Sequence, residues 1–290
     1  MSSGGAQREG GDGKLDRTTA RRGAAIQLEG LVLSYGSFEA IQGVSFAVPP
    51  GQFVAIVGPT GCGKSSVLNL VAGLLAPTAG RVLTGGAPVT GVNREAAYMF
   101  QADALLPWKT ALENVLLGPL LRGTPRARAT EEARRWLTRV GLWGFESRYP
   151  HQLSGGQKKR VAMAQALINR LPILLMDEPF AALDVQTRAL MEQELLGLWQ
   201  ELGAAVLFVT HDLEEAVALS DRVILFTAGP QATIKGDYPV DVPRPRNVVE
   251  ARFMPGFAEV YERVWQELRD EVMASYVRQT RPGTLGRASA

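Results

Sequence analysis

The sequence predicts an α/β fold in which a parallel sheet carries a phosphate-binding loop. Three observations predict it: a glycine-rich loop between an apolar strand and a helix, buried strands that alternate with helices, and an apolar share of 46%. With 290 residues, the chain can bury a full core in one large domain or two modest ones. No apolar run reaches the roughly 18 residues that cross a bilayer, so we expect a soluble chain.

The elements follow in a clear order along the chain. Residues 1–24 are rich in Gly, Ser and Arg, which predicts a disordered tail and no secretory signal. Residues 26–57 alternate apolar runs with turn residues, as a small antiparallel β region does. From about 98 to 170 the pattern is helical, at "TPRARATEEARRWLTRVGL" and "GGQKKRVAMAQALIN". The strand "PILLMDEP", the helix "TRALMEQELLGLWQEL" and the strand "AAVLFVTHD" then restore the rhythm of a parallel sheet.

The C-terminal part, residues 241–276, is predicted as a Pro-rich connector, "DVPRPR", and a helix. Residues 277–290 are predicted as a second disordered tail. One face of the helix is apolar, which predicts packing on its own domain; the alternative is a partner-binding helix. The residues on this face are Phe257, Tyr261, Val264, Trp265, Leu268 and Val272.

The stretch "GPTGCGKS", residues 58–65, fits the phosphate-loop pattern G-x-x-x-x-G-K-[ST]. The strand-like "QFVAIV" precedes it, and "SSVLNLVAGLL" follows with apolar residues at helical spacing. A chance match is the alternative, and this strand, loop and helix context argues against it. We expect the following residues to contact a nucleotide: Gly58, Pro59, Thr60, Gly61, Cys62, Gly63, Lys64, Ser65 and Ser66.

Charge and cysteine content exclude some classes of protein. The net charge of +2 is too small to imply a nucleic-acid partner, and none is predicted. The one cysteine, Cys62, excludes an intramolecular disulfide and fits a reducing compartment. Its simpler interpretation is a small side chain in a tight turn, and the alternative is a redox switch.

Polar residues follow two of the apolar strands. Asp177 and Glu178 end "ILLMDEP", where the first could hold Mg²⁺ and the second could polarise an attacking water. A helix-capping cluster is the alternative for this pair. His211 ends "AVLFVTH", at the strand end that faces the ligand crevice of an open sheet, so we expect it near the γ-phosphate. A structural role is expected for His151.

The stretch "LSGGQ", residues 153–157, stands in front of a helix and predicts a second anion-binding nest. A serine-capped helix start explains Ser154 but leaves "GGQ" unexplained, because two glycines cost stability unless a ligand or another backbone comes close. We therefore expect Ser154, Gly155, Gly156 and Gln157 to complete the nucleotide site of a second copy of the chain.

Together "GPTGCGKS", "LSGGQ", "ILLMDEP", "AALD" and "VTHD", in this order, resemble the ATP-binding subunit of ABC transporters over about residues 26–235. The resemblance implies a P-loop NTPase (RecA-like) core with an antiparallel β subdomain and an inserted helical subdomain of the ABC type. The ATPase domain is expected to span residues 25–240. The resemblance also implies ATP hydrolysis to ADP and phosphate in a head-to-tail homodimer that holds two ATP molecules, with Mg²⁺, in its interface.

The resemblance carries roles onto matching positions for binding of nucleotide and metal. Tyr35 is implied to stack on adenine, while Lys64 and Ser65 grip phosphate and Mg²⁺. Gln101 is implied to sense metal and water, and Asp177 to position Mg²⁺.

The resemblance also implies roles in hydrolysis and in contact between subunits. Glu178 is implied to be the general base and His211 to hold the γ-phosphate. Ser154 and Gly156 are implied to reach the ATP of the partner, and Asp184 to link the two sites. Two positions depart from the usual pattern, Gln165 in place of arginine and Ala181 in place of serine, and neither is expected to touch phosphate.

Further stretches, "MFQADALLPWKTALENV", "YPHQLSGG", "EAVALSDRV" and "DVPRPR", resemble the branch that serves nitrate, sulfonate and taurine importers. This branch implies integral membrane permease subunits and, indirectly, a solute-binding protein, with the chain at the cytoplasmic face of the inner membrane. Leu105, Leu106 and Trp108 are expected to receive the coupling helix of the permease. A satellite core cluster is the alternative.

Two other functions remain as alternatives at this point. A soluble ABC-type ATPase that acts on DNA or ribosomes usually has two cassettes or a long coiled-coil insertion, and this chain has neither. A non-hydrolysing, nucleotide-gated adaptor has no use for a general base at Glu178.

Overall fold

The computed structural model describes residues 23–102, 104–181 and 183–280. The predictions for residues 1–22 and 281–290 fall outside these ranges. The strands are β1 (Ile26–Tyr35), β2 (Phe38–Val48), β3 (Phe53–Val57), β4 (Ala79–Thr84), β5 (Ala87–Pro88), β6 (Ala96–Met99), β7 (Ile173–Asp177), β8 (Ala205–Val209), β9 (Arg222–Phe226) and β10 (Ile234–Pro239). The helices are α1 (Lys64–Val71), α2 (Ala111–Leu121), α3 (Arg126–Arg139), α4 (Gly155–Leu167), α5 (Val185–Leu202), α6 (Leu213–Leu219), α7 (Val248–Ala251) and α8 (Pro255–Thr280).

The predicted antiparallel region is a four-stranded sheet with the order β2-β1-β4-β5. Its central strand, β1, pairs antiparallel with both β2 and β4. β1 buries Ile26 and Leu28 and then Leu31 and Leu33, because side chains alternate along a strand and the alternation shifts by one residue at the irregularity between Leu28 and Leu31, where Gly30 has φ 55°. This sheet covers one flank of helix α1 through a shared apolar cluster.

The second sheet has six strands in the order β10-β9-β3-β8-β7-β6. Strands β9, β3, β8, β7 and β6 run parallel, and β10 is an antiparallel edge. Every residue of β3, β7 and β8 is buried, which explains why these strands read as continuous apolar runs. Because parallel strands end at the same edge, the loops after β3, β6, β7 and β8 meet there, and the α/β prediction is confirmed.

A helical part lies between β6 and β7 and contains α2, α3 and α4, which pack on one another. Helix α2 was not predicted, because Pro119 interrupts its pattern. A start signal was available in the sequence: Thr110 accepts a hydrogen bond from the backbone of Glu113, whose carboxylate in turn accepts one from the backbone of Thr110.

The C-terminal helix α8 packs on its own domain with half of the predicted apolar face. Phe257, Val264 and Leu268 are buried in the main core, whereas Trp265 and Val272 are 48% and 47% exposed. The helix continues to Thr280, past the predicted boundary at 276, because the next proline in the sequence is Pro282 and nothing before it breaks a helix. None of the described helices is long and apolar enough to span a bilayer.

A matched pair of valines on α8 tests this packing. Val264 is fully buried and Val272 is half exposed. Val264→Asp should lower the free energy of unfolding by at least about 3 kcal/mol, because it buries an unpaired charge. Val272→Asp should change the free energy of unfolding by about 0.5 kcal/mol or less. Urea denaturation followed by tryptophan fluorescence measures both, and equal losses for the two variants would contradict this docking of α8.

Candidate functional site

The parallel sheet brings the predicted catalytic residues to one edge. The phosphate loop follows β3, Gln101 follows β6, Asp177 ends β7 and His211 follows β8. The strands lie in the order β3-β8-β7-β6, so these segments are neighbours across the sheet although they are far apart in the sequence. Ligands of open α/β sheets bind at this edge.

The phosphate loop has the backbone that an anion requires. Gly63, the residue in front of α1, has φ 92°, and no side chain caps the helix there. A Cβ on Gly63 would stand 2.9 Å from Cγ1 of Ile41, so both conformation and space require glycine. The first N–H groups of α1 are left for a ligand, and the positive end of the helix dipole favours phosphate there.

Lys64 is the buried cation of this loop. Its Nζ donates hydrogen bonds to the carbonyl oxygens of Gly58 at 2.8 Å and Pro59 at 3.0 Å, so the ammonium lies inside the turn of the loop. A phosphate group would complete the charge balance of this ammonium.

Cys62 is fully buried beside Lys64, and burial raises the pKa of the thiol although the charge of Lys64 opposes the shift. A protonated, inaccessible thiol favours the interpretation as a small side chain over the redox switch.

Ser65 and Asp177 present oxygen atoms suited to Mg²⁺. The hydroxyl of Ser65 donates a hydrogen bond to Oδ1 of Asp177 over 2.9 Å. Burial raises the pKa of Asp177, the charge of Glu178 adds to this shift, and the hydrogen bond from Ser65 and the charge of Lys64 oppose it. A divalent cation offsets the unfavourable negative charge of a buried carboxylate that lies next to a second carboxylate. A hydroxyl and a carboxylate are also oxygen ligands of the kind that Mg²⁺ binds. The residues present therefore fit this ion.

Glu178, Gln101 and His211 form a cluster beyond the metal-binding oxygens. Oε2 of Glu178 accepts a hydrogen bond from Nε2 of Gln101 at 3.2 Å and lies 3.2 Å from Nδ1 of His211. Glu178 has a φ of 43°, an uncommon backbone conformation for a residue with a side chain, held by the hydrogen bond from its N–H to the carbonyl oxygen of Val209. The side chain of His211 is 59% exposed, so it is open to a ligand.

Tyr35, the predicted adenine-stacking residue, stands at the end of β1 beside the phosphate loop. Its hydroxyl lies 3.3 Å from Oγ of Ser66, and half of the residue is exposed. An exposed aromatic face next to a phosphate site is a suitable surface for a nucleotide base. The structure thus brings Tyr35 to the same side as Lys64 and Ser65.

The "LSGGQ" stretch caps helix α4. Oγ of Ser154 accepts a hydrogen bond from the N–H of Gln157 at 3.3 Å, and Oε1 of Gln157 accepts one from the N–H of Ser154 at 2.9 Å. The inference that capping leaves the glutamine unexplained was therefore wrong, because Gln157 is half of a capping box. Neither glycine has a positive φ in this structure. The two glycines still differ: a Cβ on Gly156 would lie 3.1 Å from Thr187, whereas one on Gly155 would meet no atom within 4 Å.

The "LSGGQ" stretch shares a surface depression with Asp184. Asp184 caps α5 by accepting a hydrogen bond from the N–H of Thr187 at 3.0 Å, which holds the pKa of its carboxyl below the usual value. The described residues that line this depression come from "LSGGQ", α4 and the start of α5, and none of them comes from the phosphate loop. Among the described residues, the "LSGGQ" depression and the phosphate loop are therefore separate surfaces.

The docking surface predicted around "LLPWKT" is only partly exposed. Leu105 is buried in the main core, so its assignment to a docking surface was wrong, while Trp108 is 69% exposed.

Asn114, which the sequence analysis did not single out, is fully buried and holds the loop of residues 105–110 in place. Its Oδ1 accepts from the N–H of Leu106, and its Nδ2 donates to three carbonyl oxygens, those of Leu106, Lys109 and Thr110.

Lys159 is a second residue that sequence reasoning missed. It lies in α4, three residues after Gly156, and is almost fully buried. Its Nζ donates a hydrogen bond of 2.6 Å to the carbonyl oxygen of Gln101, which ties the "LSGGQ" helix to the loop that carries Gln101. Nothing in the sequence distinguishes Lys159 from its neighbour Lys158, because the distinction depends on which face of α4 meets the loop.

Known proteins resemble this chain in sequence over most of its length. Residues 41–181 match the family model described as ABC transporter. An aliphatic sulfonates import ATP-binding protein of Pseudomonas aeruginosa is 48% identical, covering 84% of this chain and 86% of its own length. The corresponding protein of Escherichia coli is 45% identical over 87% and 96% of the two chains. A taurine import ATP-binding protein of Chromobacterium violaceum is 50% identical over 68% and 75%.

Solved structures resemble it as well. The dimeric post-hydrolysis state of an ATP-binding cassette bound to ADP and Pi has a TM-score of 0.66 and 32% identity. It covers 74% of this chain and 98% of its own length. A dimeric structure of a bacterial ABC transporter cassette gives the same TM-score with 33% identity.

Proposed function

This chain belongs to the ABC transporter family as the ATP-hydrolysing subunit that energises an importer, and we propose that the importer carries aliphatic sulfonates, taurine or a related small solute such as nitrate. The names of the relatives from three bacteria support the solute class. The observation that carries the mechanism is the gathering of the phosphate loop, Gln101, Asp177, Glu178 and His211 at one sheet edge.

For nucleotide binding, we propose that Lys64 and the N–H groups at the start of α1 hold the phosphates of ATP, while Tyr35 stacks on adenine. Ser65 and Asp177, with Gln101 nearby, would hold Mg²⁺, which supplies charge neutralisation on the phosphates when it is bound. The hydrogen bond between Ser65 and Asp177 keeps these two oxygen atoms together before the ion arrives.

For hydrolysis, Glu178 accepts a proton from the attacking water as the oxygen of that water bonds to the γ-phosphorus and the bond to ADP breaks. Gln101 orients the carboxylate of Glu178 through its hydrogen bond. His211, whose Nδ1 lies 3.2 Å from the same carboxylate oxygen, Oε2, holds the γ-phosphate. Each of these three groups lies within reach of one reacting centre.

We propose that a second copy of the chain completes each site. The "LSGGQ" nest and Asp184 share a depression that is separate from the phosphate loop, so one chain has two half-sites. A head-to-tail arrangement pairs each phosphate loop with the nest of the partner and traps ATP between them. The dimeric cassettes with similar folds support this arrangement. Hydrolysis then removes the γ-phosphate that joins the two halves, and the dimer opens.

The partner on the membrane side is proposed to be a permease pair fed by a solute-binding protein, which places the chain at the cytoplasmic face of the inner membrane. Trp108 is the proposed contact, because it is exposed on a loop that Asn114 holds by four hydrogen bonds. A rigid loop that presents an aromatic side chain is suited to binding a helix of a partner.

Complementation tests this function. In cells that lack the gene, the wild-type chain should restore growth on an aliphatic sulfonate or taurine as the only sulfur source, with sulfate as the control medium. Growth restored on nitrate as the only nitrogen source would instead identify nitrate as the solute. If uptake of all three solutes is unaffected by loss of the gene, the proposed solute class is wrong.

Replacing Trp108 by aspartate should abolish transport while the intrinsic ATP hydrolysis of the purified chain stays within about twofold of the wild type. The physical reason is that the charge disrupts an apolar contact outside the catalytic cluster. Trp143→Asp is the matched control, since Trp143 is 78% exposed at another place in the helical part. Transport that survives Trp108→Asp, or fails equally in both variants, would contradict this docking site.

A further inference from the structure

A group of charged side chains behind His211 has no part in the proposed mechanism so far. Arg188 lies in α5, four residues after Asp184, and Asp212 follows His211 directly. We propose that Arg188 is a positioning residue that holds the Asp184 segment and the His211 segment in one fixed arrangement. This inference rests on the proposed function of these two segments at the dimer interface.

The guanidinium of Arg188 contacts both segments at once. Its Nη1 donates a hydrogen bond of 3.0 Å to Oδ2 of Asp212, and its Nη2 donates one of 3.3 Å to the carbonyl oxygen of Leu183. Leu183 precedes Asp184 in the chain, so this second bond holds the backbone that presents Asp184 to the partner. Arginine suits the position because its planar fork reaches two acceptors that a lysine ammonium could not reach in the same geometry.

Asp212 transmits this contact to His211 through the backbone. Its other oxygen, Oδ1, caps α6 by accepting hydrogen bonds from the N–H groups of Glu214 at 2.9 Å and Glu215 at 3.2 Å. Its own N–H donates to Oγ1 of Thr210 at 3.0 Å. His211 is therefore held between two residues whose side chains are both fixed, and Arg188 is the link from this turn to α5.

Buried carboxyl groups surround Arg188. Glu215 is almost fully buried, accepts a hydrogen bond of 2.5 Å from Thr210, and has its pKa raised to about 7 by burial. Glu192, one turn along α5, is fully buried, and burial and the charge of Glu215 raise its pKa to about 8. Nε of Arg188 lies 3.9 Å from Oε1 of Glu215. Glu192 also has Arg252 at 3.9 Å, but removing the guanidinium of Arg188 would take from Asp212 and Glu215 the arginine that lies beside both of them, so the turn that carries His211 would shift.

The test compares Arg188→Gln with the wild-type full-length chain. We expect kcat for ATP hydrolysis to fall by on the order of tenfold or more, with KM for MgATP within about twofold, because the phosphate loop is untouched. Asp212→Asn should lower kcat similarly, and the double variant should be no slower than the slower single variant. Arg188→Lys should recover only part of the activity.

A spectroscopic readout distinguishes positioning from a general loss of stability. His151 and His211 are the two histidines of the chain, so ¹³C-labelled histidine gives two ring signals, assigned with His151→Gln. In Arg188→Gln the signal of His211 should move and that of His151 should not. Arg222→Gln is the matched control, because Arg222 also bonds a carboxylate, that of Asp237, and a carbonyl oxygen, that of Ala47, away from the site.

The outcomes are separable. An unchanged kcat in Arg188→Gln, an unmoved His211 signal, or an equal loss of kcat in Arg222→Gln would overturn the positioning role. His211→Ala tests the proposed function separately: if it hydrolyses ATP at the wild-type rate, His211 has no part in hydrolysis. In that case the movement of the His211 signal still decides whether Arg188 positions the turn.

Discussion

Replacing Glu178 by glutamine is expected to lower the rate of ATP hydrolysis by a factor of at least about 100, while ATP binding persists. Glutamine keeps the size of the side chain and still accepts the hydrogen bond from Gln101. It cannot accept the proton of the attacking water. Because the triphosphate is no longer cleaved, the variant should accumulate as a dimer in saturating ATP and Mg²⁺, whereas the wild type should dimerise only transiently.

Phosphate release measures the rate, a fluorescent ATP analogue measures binding, and light scattering measures the mass with and without nucleotide. Glu201→Gln is the control, because Glu201 is an exposed carboxylate that pairs with Arg139 at the far end of α5. It should hydrolyse ATP at the wild-type rate. Turnover that is unchanged in Glu178→Gln would show that another group accepts the proton, and loss of ATP binding would show that Glu178 has a structural role.

The phosphate loop was predictable because its chemistry is local. Gly63 must adopt a positive φ directly in front of a helix, and Lys64 must follow it. Consecutive residues of the sequence are therefore enough to recognise this loop. The pair Asp177 and Glu178 was predictable for a related reason. Strand ends of a parallel sheet meet at one edge, and the apolar run before the pair identifies such an end.

Contacts between distant segments were not predictable from the sequence. The bond between Arg188 and Asp212 joins residues 24 positions apart, and it exists because the tertiary fold brings the first turn of α5 next to the turn that precedes α6. The same holds for Lys159, which reaches the carbonyl oxygen of Gln101. Leu105 was assigned to a docking surface because its neighbours suit docking. The sequence does not show whether a leucine in a loop faces solvent or the core, and Leu105 faces the core.

Contacts within one chain explain most residues of the "LSGGQ" stretch, but not all of them. Ser154 and Gln157 satisfy each other as a capping box, which any amphipathic helix could use. Gly156 has a packing reason inside the chain, because a Cβ at this position would lie only 3.1 Å from Thr187. Only Gly155 has no reason within one chain: a side chain there would meet open space. Within "LSGGQ", Gly155 is therefore the residue that most favours a composite site in a dimer.

Replacing Gly155 by aspartate should abolish ATP-driven dimerisation and lower hydrolysis by on the order of 100-fold, although the isolated chain folds normally. Gly155 is the first residue of α4 and is exposed, where an acidic side chain is favourable to the helix dipole and meets no atom. The stability of one chain should therefore be unchanged or slightly raised. In the dimer the same carboxylate would face the γ-phosphate of the partner, where like charges repel.

Gly197→Asp provides the matched control for this prediction. Gly197 is also an exposed helical glycine whose Cβ would meet no atom within 4 Å, but it lies in the middle of α5, away from the depression that holds "LSGGQ" and Asp184. It should dimerise and hydrolyse ATP as the wild type does. Both variants should bind the fluorescent analogue, since the phosphate loop belongs to the other half-site. If Gly155→Asp dimerises and turns over normally, the second anion nest does not meet nucleotide, and each chain must hydrolyse ATP with the residues at its own sheet edge.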